Sequence, residues 1–197
     1  MSDAGLFARQ DALQLQAASV LADLDLFALL RGVGHPTQTG GSALGLMVAR
    51  DIDVTTVCPS LDPGPIFDLG RSLATHPRVR RVTFRDDTGR WNTGTLYPDG
   101  LYWMVEYVAD PDVEWKLDLW FLLEGTTQFD LEHMKTLPAR LTPDVRATIL
   151  KIKEAIAADP SSPKGPSYEI YEAVLDHGVR TPEEYARYQE GVSGSGA

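Results

Sequence analysis

Residues 39–54 of the chain read Thr-Gly-Gly-Ser-Ala-Leu-Gly-Leu-Met-Val-Ala-Arg-Asp-Ile-Asp-Val. A Gly-Ser turn therefore precedes two acidic residues that stand two positions apart. Gly40 and Gly41 allow a tight turn and a close approach of the backbone to a ligand. Ser42 is a favourable N-cap for the apolar run 43–48, so the sequence predicts a short helix whose free N–H groups face a phosphate.

The acidic pair opens a β-branched run that predicts a strand from Asp51 to Cys58. Because side chains alternate along a strand, Asp51 and Asp53 are expected on the same face. Two adjacent carboxylates repel each other unless a cation neutralises them, and Mg²⁺ prefers carboxylate and phosphate oxygens. The pair therefore predicts a site for Mg²⁺ or Mn²⁺ that binds a nucleoside triphosphate.

The spacing of these residues also resembles a known signature. Gly41-Ser42, eight residues and then Asp51-Ile52-Asp53 is similar to the motif of the polymerase-β-like nucleotidyltransferase superfamily. The resemblance implies an α+β fold with a mixed sheet and flanking helices, and an enzyme that transfers a nucleotide. It also implies that Gly41 and Ser42 bind the nucleotide, and that Asp51 and Asp53 bind the metal and serve catalysis.

The resemblance further implies a third carboxylate on a later strand. Asp118 is the main candidate for this catalytic and metal-binding position, because it lies inside the strand-like run 115–122. The competing interpretation of Asp118 is a solvent-facing charge on an edge strand. Glu106, within the run 101–108, is the alternative third acid.

The segment before the Gly-Ser turn departs from the superfamily pattern. The family enters this turn from a hydrophobic strand, whereas here the segment from His35 to Thr39 is polar and contains Pro36. Because proline is confined to strand edges and starts, we expect the first strand to be short or at the sheet edge.

Composition restricts the class of partner. The formal net charge of −10 argues against a nucleic-acid partner, since binding a phosphate backbone normally requires clustered Lys and Arg. The single Cys58 excludes an intramolecular disulfide, and the four histidines form no zinc pattern. The apolar segment 19–30 is interrupted by acidic residues, so we expect a cytoplasmic protein without membrane association.

The order of elements predicts a nucleotidyltransferase-like domain over residues 1–125, a helical C-terminal part over 126–190 and a disordered tail over 191–197. The first domain is expected to contain helices at 6–30 and 66–75. Strands are expected at 51–58, 79–85, 91–97 and 101–108, followed by a last strand that ends near residue 122. Helices are predicted at 129–137, 142–158, 168–176 and 182–189.

These features favour a metal-dependent enzyme that transfers a nucleoside monophosphate to a hydroxyl group of a small molecule or a protein. The alternative is a catalytically inactive module of the same fold that binds nucleotide or a partner protein and regulates it. A third possibility is an interaction module that binds no metal nucleotide. The position of Asp118 relative to Asp51 and Asp53 discriminates between them.

Overall fold

The computed structural model of the protein describes residues 2–93, 97–159 and 165–194. Helices and strands both occur in the N-terminal part of the chain, and the elements of the C-terminal part are helices. In chain order the elements are α1 Asp3–Asp23, α2 Leu26–Arg31, β1 His35–Thr39, α3 Gly40–Leu44, β2 Asp51–Cys58, α4 Pro63–Ala74, β3 Val79–Asp87, β4 Gly100–Asp110, β5 Val113–Leu123, α5 Phe129–Thr136, α6 Pro143–Ala158, α7 Ser167–Leu175 and α8 Pro182–Gly194.

The five strands form one mixed sheet in the order β1-β2-β5-β4-β3. β2 and β5 are parallel and the other neighbours are antiparallel, so the predicted mixed sheet with antiparallel hairpins is confirmed. β1 is short and lies at the edge, as its polar sequence and proline predict. One face of the sheet carries the buried side chains of Ile52, Val105 and Leu117 and packs on the helices α1, α2 and α4.

A second hydrophobic core lies between the C-terminal helices and the start of the chain. It contains Leu6 of α1, Leu46 and apolar residues of α6, α7 and α8. The four helices predicted after residue 126 are all present, while the boundary between the two predicted domains stays a prediction. Since α1 contributes to both cores, it links the sheet to the C-terminal helices.

The N-terminal helix predicted for residues 6–30 is in fact two helices. Asp25 adopts a left-handed conformation with φ 44°, which Asp tolerates better than most residues. The resulting turn lets Leu24 and Leu26 both point into the first core. At the other end, α8 continues to Gly194, and residues 195–197 of the predicted tail lie outside the described residues.

Two local predictions near the site are wrong. The helix expected over residues 43–48 ends at Leu44, because Gly45 has a φ of +69° and its N–H bonds back to Gly41. Ser42 is consequently the third residue of α3 and not its N-cap. The strand predicted for 91–97 is replaced by a 3-10 turn, Gly89–Trp91, and an irregular segment, with residues 94–96 outside the described part.

Among the described helices, none combines the length and the apolar character that crossing a lipid bilayer requires.

Candidate active site

Three carboxylates converge on the polar face of the sheet. Asp53 and Asp118 are direct partners across the parallel pair β2–β5, and Asp51 is two residues before Asp53 on the same face. One carboxylate oxygen from each of the three lies within 4.8 Å of the other two. The structure thus brings together the three acids that the sequence singled out, and we call them the carboxylate cluster.

The rival third acid, Glu106, does not join this cluster. It lies on β4 opposite Lys116, on the same sheet face, and its carboxylate contacts the guanidinium groups of Arg80 and Arg81. Among the described residues, the group of acids close enough to share a metal ion contains Asp118 and not Glu106.

Asp53 is the most electrostatically strained member of the cluster. Burial raises its pKa well above the usual range, and the negative charges of Asp51, Asp118 and Asp130 act in the same direction. The neighbouring turn is shaped around this carboxylate, because a Cβ on Gly40 would lie 2.2 Å from Asp53 Oδ2. Gly40 also has a φ of +63°, a conformation that favours glycine, and its lack of a Cβ leaves room for the Asp53 carboxylate.

Asp118 is held by two partners on the sheet. The Tyr102 hydroxyl donates to Asp118 Oδ1 at 2.5 Å, and Lys116 Nζ lies 2.9 Å from Asp118 Oδ2. Lys116 Nζ also lies 3.5 Å from Asp51 Oδ1. Burial tends to lower the pKa of Lys116, but the nearby carboxylates outweigh that effect and raise it. One lysine therefore partly neutralises the cluster.

A second lysine approaches the cluster from α6 and was missed by the sequence analysis. Lys153 Nζ donates to the main-chain oxygen of Leu46 at 2.9 Å and would lie 3.2 Å from a Cβ on Gly41. Burial lowers the pKa of Lys153 to about 8, against the opposing effect of Asp53 and Asp51. Its position among apolar residues of a predicted amphipathic helix was the available signal.

A cavity of about 410 Å³ separates the Gly-Ser turn from the C-terminal helices. Asp51 and Asp53 line one wall, and Lys153 lies on another. The remaining lining residues are Gly41, Ser42, Met47, Val48, Ala49, Ile156, Ala157, Gly165, Ser167 and Ile170. The cavity has the size of a small-molecule site and combines apolar walls with a few convergent polar groups.

Gly41 and Ser42 both line this cavity, yet Ser42 has a structural contact of its own. The Ser42 hydroxyl donates to the main-chain oxygen of Thr39 at 3.2 Å, and the Gln14 side chain donates to the Ser42 carbonyl. These contacts fix the turn against α1 and β1. Arg50 and Arg71 are both exposed, and Arg71 pairs with Asp68.

The helices that cover this face of the sheet pack on β1 and β2. Aromatic side chains occupy the same face farther along the sheet, over β5 and β4. Trp120, Tyr102 and Arg85 form a cross-strand row directly next to Asp118. The Arg85 guanidinium lies 4.5 Å from the ring centre of Tyr97 and 4.6 Å from that of Tyr102. We call these four residues the aromatic surface; Tyr97 is 53% exposed.

Comparison with known proteins identifies the fold. The chain is similar to a cytoplasmic RNA terminal U-transferase, with 14% identity, a TM-score of 0.51, and coverage of 89% of this chain and 46% of the other. It is also similar to CdnC of E. coli MS115-1 in its ATP-containing structure, with 14% identity, a TM-score of 0.48, and coverage of 90% and 64%. The predicted nucleotidyltransferase-like fold is confirmed by the first likeness.

The chain spans about half the length of the U-transferase that it matches. The sequence matches no protein-family model and no curated protein.

Proposed function

We propose that the protein is a metal-dependent nucleotidyltransferase that moves a nucleoside monophosphate from a nucleoside triphosphate to a hydroxyl of a small molecule or a protein. The observation that carries this proposal is the carboxylate cluster, two of whose members, Asp51 and Asp53, line a cavity together with Lys153. The fold shared with an RNA terminal U-transferase supports nucleotide transfer as the reaction class.

The cavity offers complementary groups for a triphosphate. Lys153 is directed toward the Gly-Ser turn, and its charge-assisted hydrogen bonds to phosphate oxygens would exceed the one it now makes to Leu46. Gly41 has no side chain, which lets Lys153 Nζ lie 3.2 Å from where its Cβ would stand, so a phosphate beside this turn would meet the lysine. The base and ribose would occupy the more apolar wall formed by Ile156 and Ile170.

The cluster has the donor set that Mg²⁺ or Mn²⁺ requires. Asp51, Asp53 and Asp118 supply hard oxygen ligands within 4.8 Å of one another, and burial together with the neighbouring acids raises the pKa of Asp53, so a cation beside it would favour its charged form. A divalent ion bound there would neutralise the phosphates and make the acceptor hydroxyl more acidic.

In the proposed transfer, the acceptor oxygen forms a bond to the α-phosphorus and the bond from that phosphorus to the bridging oxygen breaks. Pyrophosphate leaves with the electron pair, and the hydroxyl proton passes to a carboxylate of the cluster. Lys153 stabilises the negative charge that develops on the leaving pyrophosphate. Asp51 and Asp53, which line the cavity, would orient the reacting groups.

The acceptor is expected to approach over β5 and β4, since α6 and α7 border the cavity on the other side. The aromatic surface lies along that route, beside Asp118; Arg85 covers one side of the Tyr97 and Tyr102 rings, and the exposed Tyr97 is the member that an acceptor group would meet first. The chain's net charge of −10 favours a small-molecule or protein acceptor over a nucleic acid. The inactive regulatory alternative is less favoured, because Asp118 does face Asp51 and Asp53.

The test is a screen for pyrophosphate release from the four nucleoside triphosphates with Mg²⁺ or Mn²⁺ and a panel of hydroxylated small molecules and proteins. A parallel melting experiment should show that a triphosphate raises Tm only when the metal is present. Equal stabilisation in the presence of a chelator would contradict the metal site. Stabilisation without turnover would favour the regulatory alternative.

A further inference from the structure

Lys116 occupies the position between two of the proposed metal ligands. Its Nζ lies 2.9 Å from Asp118 Oδ2 and 3.5 Å from Asp51 Oδ1, although about half of its side chain is exposed. The lysine comes from the middle of β5, two residues before Asp118, so the strand geometry aims both side chains at the same face. The backbone position of Lys116 is therefore fixed by the sheet and not by a flexible loop.

Both oxygens of Asp118 are engaged. Tyr102 donates to Oδ1 and Lys116 lies against Oδ2, so a further cation can reach this carboxylate only by sharing or displacing one of these contacts. The lysine contact is the easier one to lose, because Lys116 carries its charge on a flexible side chain that is 48% exposed, whereas the Tyr102 ring packs against Trp120. Only 17% of the Asp118 side chain is exposed, so a cation that replaces the lysine there must neutralise a largely buried carboxylate.

A third carboxylate lies next to Lys116, on the side away from Asp51. Glu106 is its direct cross-strand neighbour on β4 and shares its face of the sheet. Glu106 Oε2 is buried and accepts no hydrogen bond among the described residues, and the guanidinium of Arg80 lies 3.4 Å away from it. Lys116 is flexible enough to reach either acid, since direct partners have Cβ atoms about 5 Å apart.

We propose that Lys116 is a built-in competitor of the metal, a positioning residue that neutralises Asp51 and Asp118 in the metal-free protein and moves to Glu106 when a divalent ion binds. This inference rests on the proposed function, because it takes the carboxylate cluster as the metal site. The consequence is a weakened affinity for metal alone, so that metal and nucleotide together are favoured over the bare ion.

The test measures Mn²⁺ binding without nucleotide, by the electron paramagnetic resonance signal of free Mn²⁺. Lys116→Met is expected to bind Mn²⁺ about tenfold more tightly than the parent, because the resident cation is gone. Lys151→Met is the matched control, since Lys151 is also half-exposed and ion-paired, in its case with Asp3. It should bind Mn²⁺ like the parent.

Glu106→Gln tests the second position of the lysine. In the parent background it is expected to weaken Mn²⁺ binding severalfold, since the displaced lysine loses its alternative partner. In the Lys116→Met background the same change should have no effect, whereas a general field effect of Glu106 would persist there. Circular dichroism melting curves establish that each variant is folded.

Three results would overturn the proposal. They are unchanged Mn²⁺ affinity in Lys116→Met, an equal gain in Lys151→Met, and additive effects of the Lys116 and Glu106 changes. Failure of the proposed function looks different, because the parent and Lys116→Met would then both bind no Mn²⁺. That outcome would remove the metal site itself together with the role of Lys116.

Discussion

Two lysines approach the same carboxylate cluster, one from the sheet and one from the helices, and their environments differ. On the sheet side, Lys116 is half-exposed and directly paired with Asp118 and Asp51. On the helix side, Lys153 donates to a main-chain oxygen beside the cavity, and burial lowers its pKa to about 8. The charge of Lys116 is thus already used by the protein, whereas that of Lys153 is available to a ligand.

This difference separates the two ligands of the proposed reaction. In that proposal, the sheet side would control how the carboxylates receive a metal, and the helix side would control how the cavity receives a phosphate. A charge placed next to acids competes with a metal, while a charge placed next to a carbonyl in an apolar wall attracts an anion. Changes on one side should therefore affect one ligand more than the other.

The largest effect is expected for Asp53→Asn, which removes a carboxylate shared by both sides. Turnover should fall by about 10³-fold or more, since a metal ligand supplies several kcal/mol of transition-state stabilisation. The measurement is the initial rate of pyrophosphate release, with Tm as the check on folding. Activity within tenfold of the parent would exclude Asp53 from the site.

The same variant, Asp53→Asn, is expected to raise the thermal stability of the metal-free protein although it lowers turnover. The pKa of Asp53 is raised in the folded state, so its contribution to stability is present at low pH and is lost as pH rises through that pKa. Asp53→Asn should therefore melt higher than the parent at pH 8, by about 2–4 °C for on the order of 1 kcal/mol. The gain should shrink as pH is lowered. Asp118→Asn is the contrast, because it loses the Lys116 ion pair and should show no such gain.

Lys153→Met should weaken triphosphate binding and spare binding of the bare metal. Loss of a charge-assisted contact corresponds to about 1.5–3 kcal/mol, or about 10- to 100-fold in Kd. Mn²⁺ affinity should not fall, because removing a nearby positive charge does not disfavour a cation. Isothermal titration with the triphosphate and with Mn²⁺ alone measures both. A fall in Mn²⁺ affinity equal to the fall for triphosphate would remove the distinction between the two sides.

The same lysine predicts a pH dependence of triphosphate binding. With a pKa of about 8, Lys153 loses its proton in the free protein as pH rises above 8. Triphosphate affinity in the parent should then decline by up to about tenfold per pH unit, while Lys153→Met stays flat. Conversely, metal-free stability should rise between about pH 8 and 10.5, because the unfolded chain holds this proton more tightly. A parent profile as flat as that of the variant would contradict the role of Lys153.

The sheet side was predictable from sequence to a degree that the helix side was not. Asp51 and Asp53 were placed on one face by strand alternation, and the family resemblance implied a third acid, for which the apolar strand run around Asp118 gave the main candidate and Glu106 the alternative. These are local patterns. Lys153 depends on how α6 packs against the Gly-Ser turn more than a hundred residues away, and the only local signal was a lysine among the apolar residues of α6, which does not show what the lysine contacts.

The Gly-Ser turn shows the same limit at a smaller scale. Its glycines and its proximity to the acids were predicted, but the helix was too long and Ser42 was assigned the wrong position. The apolar run 43–48 satisfies helix periodicity, yet Leu46 and Met47 pack into different cores after the left-handed Gly45. Tertiary packing overrode the local preference.

The smallest effect on the carboxylate cluster is expected at this turn and is measured with two glycines of similar conformation. Gly40 and Gly89 both have positive φ, but a Cβ on Gly89 would meet nothing within 4 Å, whereas one on Gly40 would meet the Asp53 carboxylate. The backbone strain of a Gly→Ala change is common to both, so their difference isolates the contact with Asp53. Because Asp53 can rotate away, Gly40→Ala should cost only about 1 kcal/mol more than Gly89→Ala in urea unfolding.

The rotated carboxylate would leave the cluster, so Mn²⁺ affinity should fall severalfold in Gly40→Ala and stay unchanged in Gly89→Ala. Equal Mn²⁺ affinities in the two variants would mean that the turn does not determine the position of Asp53.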